Sequence, residues 1–132
     1  MAVTRLGIDT DIVIDYLRGR SDLLERALFH YECAFTSITV YELLIGLAQA
    51  PRQAALFADA LRLVQIVPFD LDAAHAAARV YEQLSVQGLP IGVQDMLNAG
   101  VCIAHGLPLL TRNLAHYGRI KGPTLFDAAQ MI

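Results

Sequence analysis

Short apolar runs that stop abruptly at polar residues alternate along this chain with longer amphipathic stretches. Residues 4–9 carry Leu6-Gly7-Ile8 and end in Asp9-Thr10-Asp11, which predicts a buried strand delivering a carboxylate to the edge of a sheet. Asp11 to Arg18, with Ile12, Val13, Ile14 and Leu17, predicts a short helix stopped at Gly19. Ser21 or Asp22 then caps a helix through about Tyr31, and Cys33 to Ser37 forms a second strand. Ser37 or Thr39 caps a helix containing Glu42, Leu43, Leu44 and Leu47, with Thr39 and Glu42 at the spacing of a capping box. Pro51 opens a helix to about Leu63. Val64 to Pro68 reads as a third strand, and Asp70 or Asp72 caps an alanine-rich helix ending near Gly88. Asp95 lies in the first turn of the next helix, which closes at His105-Gly106. Pro108 to Leu110 is a fourth strand, and Pro123-Thr124-Leu125 a short last one. Strands alternating with helices imply an α/β fold whose parallel sheet is covered on both faces.

The 132 residues fit a single domain with a sizeable core. Hydrophobic residues make up 55% and charged ones 17%, an apolar excess that points to a partner surface. Even so, nothing approaches the ~18–20 uninterrupted apolar residues of a membrane span. The opening Met1-Ala2-Val3-Thr4-Arg5 lacks a signal-peptide layout, so the expectation is a cytoplasmic protein with no membrane association. A net charge of −3 argues against a non-specific nucleic-acid coat but leaves room for an acidic metal site flanked by arginines. Lys121 is the only lysine, and arginine suits bidentate phosphate contacts. Cys33 and Cys102 sit in apolar company and read as buried, reduced thiols.

The candidate chemistry lies in three acids. Asp9 ends strand one, Glu42 follows strand two, and Asp95 precedes strand four by one helix. In open parallel sheets all three positions can converge at the carboxyl edge, where ligands bind. Oxygen ligands of this kind suit Mg²⁺ or Mn²⁺. A site so built can activate a water in line with a phosphodiester and neutralise the leaving oxygen. Each acid also has a purely structural role open to it. Asp9 can cap the following helix, although Asp11 is the better-placed cap; Glu42 can complete a capping box; Asp95 can answer a helix dipole. His30, His75 and His105 have no ligating spacing and read as structural.

The segment from Ile8 to Gly19, Asp9-Thr10-Asp11 included, resembles the opening of PIN-domain toxins of the VapC type. Thr36 to Gly46, centred on Glu42, resembles their second acidic motif. Asp95 to Val101, followed by Leu107 to Asn113, resembles their third and fourth. The ordered set spans nearly the whole chain. It implies one PIN-like domain over residues 1–132, a three-layer α/β/α sandwich with a small, mainly parallel sheet. It implies a Mg²⁺-dependent endoribonuclease, the toxin of a type II toxin–antitoxin pair, with Mn²⁺ as an alternative ion. Asp9 and Asp95 would be the main metal ligands, completed by Glu42. A VapB-like antitoxin whose C-terminal segment covers the site is implied as partner, with RNA as substrate. Homodimers or toxin–antitoxin hetero-oligomers are also implied, for which the helices at about 21–31 and 51–63 are candidate surfaces.

Where PIN domains often carry a fourth acid, this chain has His116, and no acid lies between Asp95 and Asp127. This departure leaves one metal or two open. His116 is a candidate for substrate phosphate or a metal-bound water, or simply an exposed helix-end histidine; Asn113 and Thr111 are candidates to support the site. Arg112, Arg119 and Lys121, with Arg18, are candidates to line an RNA groove as phosphate contacts, which give affinity without sequence information. Tyr16 and Tyr117 either stack on an unpaired base or pack. Two other readings stay open. One is a PIN-like module that binds RNA or antitoxin without cleaving. The other is a haloacid-dehalogenase-type phosphatase using Asp9-Thr10-Asp11, which would need a lysine near a later strand.

Overall fold

A computed structural model describes residues 5–89 and 91–127. Five strands, β1 (Arg5–Ile8), β2 (Glu32–Thr36), β3 (Gln65–Val67), β4 (Leu109–Thr111) and β5 (Leu125–Asp127), form one parallel sheet in the order β3-β2-β1-β4-β5. The helices are α1 (Thr10–Leu17), α2 (Leu23–His30), α3 (Ser37–Gly46), α4 (Pro51–Leu61), α5 (Leu71–Gln87), α6 (Val93–Ala104) and α7 (Leu114–Tyr117).

Alternation along the strands sorts their side chains into two layers. Leu6, Ile8, Cys33, Phe35 and Leu110 face a core built with α1, α2, α4 and Leu43 of α3, where Phe35 stacks on Phe57 at 6.0 Å. Ala34, Val67 and Leu109 face a second core built with α5, α6 and Tyr117. The result is a three-layer α/β/α sandwich. The two cysteine thiols are free and buried, as expected, and burial pushes them up to about 11 for Cys33 and about 12 for Cys102. No helix among the described residues is long and apolar enough to cross a membrane.

The strand and helix order matches the apolar pattern except for the four-residue α7, which was not expected between β4 and β5; the ends differ for physical reasons. Asp9, not Asp11, is the N-cap of α1: its carboxylate accepts from the Thr10 amide, and the helix starts one residue earlier than expected. Thr36, not Ser37 or Thr39, caps α3, its hydroxyl accepting from the Thr39 amide. Glu42 therefore sits beyond the first turn, and the Thr39–Glu42 capping box does not form. Asp70 caps α5 as expected, and Gly88 ends that helix with φ 66°. The last strand falls at Leu125–Asp127 rather than 123–125, because Pro123 has no amide to give to a ladder.

Candidate active site

The chain leaves β1 for β2 and β3 on one side, then crosses back to lay β4 and β5 on the other. Beyond the carboxyl ends of β1 and β4 the sheet therefore has its topological switch point, where open α/β sheets bind ligands. Asp9 immediately follows β1, and Thr111 ends β4. Glu42 arrives from the middle of α3 and Asp95 from the first turn of α6. One open cleft is lined by Asp9, Thr10, Asp11, Ile14, Glu42, Asp95, Arg112 and Asn113.

Asp9 is the buried floor of this cleft, 5% exposed. Thr111 Oγ1 donates to its Oδ2 at 2.7 Å, and the Thr10 amide and Asn98 Nδ2 donate to its Oδ1 at 2.9 and 3.3 Å. These bonds do not offset the loss of water. Burial, then the neighbouring Asp11 charge, with a smaller push from Asp95, raises its carboxyl to about 7. Burial also raises Glu42, whose Oε1 accepts from Thr10 Oγ1 at 3.0 Å. Asp11 is raised by burial against the opposing pull of Arg112, whose amide donates to its Oδ2; Asp11 Oδ1 is buried without a hydrogen-bond partner.

Asp95 is gripped at both oxygens. Tyr117 donates to Oδ1 at 3.3 Å; Asn113 Nδ2 and His116 Nδ1 lie 3.3 and 3.0 Å from Oδ2. His116, at the position of the missing acid, thus meets a site carboxylate directly and is half-buried in doing so. Arg112 reaches the cleft, but its guanidinium is already bonded to the buried Asp15 at 2.9 Å, with about half of the side chain still exposed. Arg119 is exposed and does not line the cleft; its carbonyl accepts from Gln83 of α5. Lys121 is likewise outside the cleft, with its amide bonded to Gln83. Arg18 lines the adjoining groove with Glu42.

Several members of the site were not legible as such. Tyr117 is wholly buried, which excludes base stacking by its ring. Asn98 is 2% exposed and donates to both Asp9 and Tyr117. The signal for Asn98 was its spacing: three residues after Asp95, it shares that helix face, and it is polar in an otherwise apolar run. Asp15 had the same kind of signal within Ile12-Val13-Ile14-Asp15-Tyr16-Leu17.

Among the described residues no group of three or more His, Cys, Asp or Glu side chains forms a ready-made metal cage. The donor set nevertheless fits a hydrated divalent cation. Mg²⁺ is usually held by one or two carboxylates and keeps several waters. Raised carboxyls on Asp9, Asp11 and Glu42, and the orphaned Asp11 oxygen, mark acids whose ionised form the protein's own donors and cations do not fully offset.

A family model described as PIN domain matches residues 7–120. The ribonuclease VapC1 of Rickettsia felis is 34% identical over 122 residues, covering 87% of this chain and 90% of that protein. The tRNA(fMet)-specific endonuclease VapC of Salmonella typhimurium is 30% identical over 95 residues, covering 70% of this chain and 72% of its own. Among solved structures, DNA-bound VapBC from Salmonella typhimurium superposes with a TM-score of 0.87 at 23% identity, covering 96% of this chain and 99% of the other. VapBC2 from Rickettsia felis, bound to a promoter DNA fragment, gives 0.85 at 23% identity over 94% and 98%. These structural likenesses carry the three-layer fold.

Proposed function

This chain belongs to the PIN-domain family, in its VapC-type branch, and from that premise we propose that it is a Mg²⁺-dependent endoribonuclease acting as the toxin of a toxin–antitoxin pair. The observation that carries this reading is the convergence of Asp9, Glu42 and Asp95 on one cleft at the switch point of the sheet. The relatives named as ribonucleases support the reaction class.

In this reading Asp9 and Asp95 would be the main residues holding the ion, with Glu42 completing the pocket; Mn²⁺ can substitute. The ion supplies charge neutralisation at the scissile phosphate and an acidified water. The chain's own residues do the rest. Thr10 and Thr111 fix the carboxylates of Glu42 and Asp9, so that neither swings away when the cleft fills. Arg112, tethered by Asp15, presents its exposed guanidinium face to a backbone phosphate beside the acids. Asn113 and His116 hold Asp95 in place. The phosphatase alternative lacks its lysine, since Lys121 is outside the cleft.

A VapB-like antitoxin as partner is supported by similar structures solved as VapBC bound to DNA and as a toxin–antitoxin complex. Large apolar side chains left in solvent, such as Phe29, Tyr41, Leu44, Ile45 and Tyr81, support homodimer and antitoxin contacts. A chain that stays monomeric at high concentration removes the dimer from this reading.

The test is cleavage of total cellular RNA by the purified full chain, with Mg²⁺ or EDTA, using wild type, Asp9→Asn and Asp95→Asn. Discrete Mg²⁺-dependent fragments absent from both variants are expected. Folded protein that binds RNA or antitoxin without cutting it would instead favour the non-cleaving module.

A further inference from the structure

The hydrogen bonds beneath the acids have a definite direction, and it ends on Tyr117. Thr36 Oγ1 accepts from the Thr39 amide as the α3 cap, which leaves its own proton to donate to Asn98 Oδ1. With that oxygen occupied, the Asn98 amide group faces the other way, and Nδ2 donates to Asp9 Oδ1 at 3.3 Å and to the Tyr117 hydroxyl oxygen at 3.0 Å. The Tyr117 hydroxyl is then an acceptor from Asn98 with a single proton left to give. Asp9 Oδ1 lies 3.4 Å away and Asp95 Oδ1 3.3 Å away. Asp9 already receives the Thr10 amide, Asn98 and Thr111. Tyr117 is the donor that the described residues offer to Asp95 Oδ1.

We propose that Tyr117 is a positioning residue for the metal carboxylates: its hydroxyl, aimed by Thr36 and Asn98, donates to Asp95 Oδ1 while lying 3.4 Å from Asp9 Oδ1, and so sets the spacing of the two acids before a cation arrives. The proposal rests on the Mg²⁺-nuclease reading above. Its ring is fully buried in the second core, so a phenylalanine would fill the same space. What the hydroxyl adds is a polar atom within 3.4 Å of both acids, whereas Asn98 reaches Asp9, and Asn113 and His116 reach Asp95. Residues that orient metal ligands in this way change metal affinity when removed, even when the ligands themselves are intact.

The test is Tyr117→Phe in the full chain, with Mg²⁺ and Mn²⁺ binding read by titration calorimetry and thermal unfolding as the check on folding. Affinity is expected to fall roughly tenfold. The Mg²⁺ concentration that gives half of maximal RNA cleavage is expected to rise by a similar factor, so that the loss shrinks as Mg²⁺ is raised. Thr36→Val keeps the side-chain shape but frees Asn98 to turn, and should shift Mg²⁺ binding in the same direction. Wild-type affinity in both folded variants, with wild type binding Mg²⁺ normally, overturns this proposal alone. A wild type that neither binds Mg²⁺ nor cleaves RNA overturns the nuclease reading and this proposal together.

Discussion

The meeting of Asp9, Glu42 and Asp95 at one cleft was legible because each is a charge in apolar company, and such charges need a reason to be there. Their supports were not. Thr111, Asn98 and Tyr117 are residue types that occur everywhere, and only the fold turns their polar atoms toward one point. Arg112 was expected as a phosphate contact, but its bond to Asp15 gives it a second role. Asp15 is 7% exposed, so removing its partner leaves a largely buried carboxylate uncompensated. Arg112→Ala should therefore cost stability on the order of 1–2 kcal/mol, between the values for exposed and for buried pairs. It should also weaken RNA binding. Arg112→Lys should recover part of the stability and less of the binding, because an ammonium cannot bridge Asp15 and a phosphate as a planar fork does. Urea unfolding and RNA titration of the three proteins check this; equal stability in all three would mean that Asp15 is satisfied without Arg112.

Element type was readable everywhere except at the four-residue α7, whereas element starts depended on which of several polar residues wins the cap. In Thr36-Ser37-Ile38-Thr39 and in Asp9-Thr10-Asp11, the cap falls on the first candidate in each run. Local spacing cannot decide this, because Thr36 and Asp9 are also held by Asn98 and Thr111 from distant elements. Two predictions separate structural from functional caps. Asp70→Ala removes the α5 cap, a residue outside the cleft lining, and should lower stability while cleavage per folded molecule stays at the wild-type rate. The close approach of α5 and α6 is set by Gly100, where an added Cβ would lie 2.6 Å from the Ala73 carbonyl oxygen and 2.7 Å from Ala77 Cβ. Gly100→Ala should force the pair apart and cost about 1–3 kcal/mol. Since Asp95 and Asn98 ride on α6, that variant should also lose cleavage beyond its loss of folded protein. Denaturant melts paired with RNA cleavage by the folded fraction measure both.

At the scale of the whole molecule, the parallel sandwich was readable from alternating strands and helices, but the order β3-β2-β1-β4-β5 was not, since pairing partners leave no local mark in so short a strand as Leu109–Thr111. Nor was the solvent side of α3 readable: α3 is apolar nearly all round, so its exposed Tyr41, Leu44 and Ile45 are indistinguishable in sequence from its core-facing Leu43. The order matters because it brings three raised acids to one end of the sheet and makes their titration a property of the whole fold. Asp9 carries a folded value of about 7 against 3.8, and Glu42 and Asp11 are raised in the same direction. A raised acid keeps its proton in the folded state where the unfolded chain has lost it. Its contribution is therefore intact below about pH 4 and is lost as pH climbs through about 7. Asp70, held below its usual value chiefly by the α5 amide, has the opposite sign and acts only in strong acid. The metal-free chain in EDTA should thus melt lower at about pH 8 than at about pH 5. On the proposed reading Mg²⁺ binds the ionised acids of the folded state, so its stabilisation should be larger at the higher pH, where no proton competes for Asp9. Asp9→Asn removes the main titrating group, and should flatten the pH slope in EDTA and cancel most of the Mg²⁺ response. Thermal melts over that pH range, with and without Mg²⁺, give all four quantities. A metal-free wild type that melts higher at about pH 8 would mean that Asp9 is compensated in solution by a charge other than a bound cation.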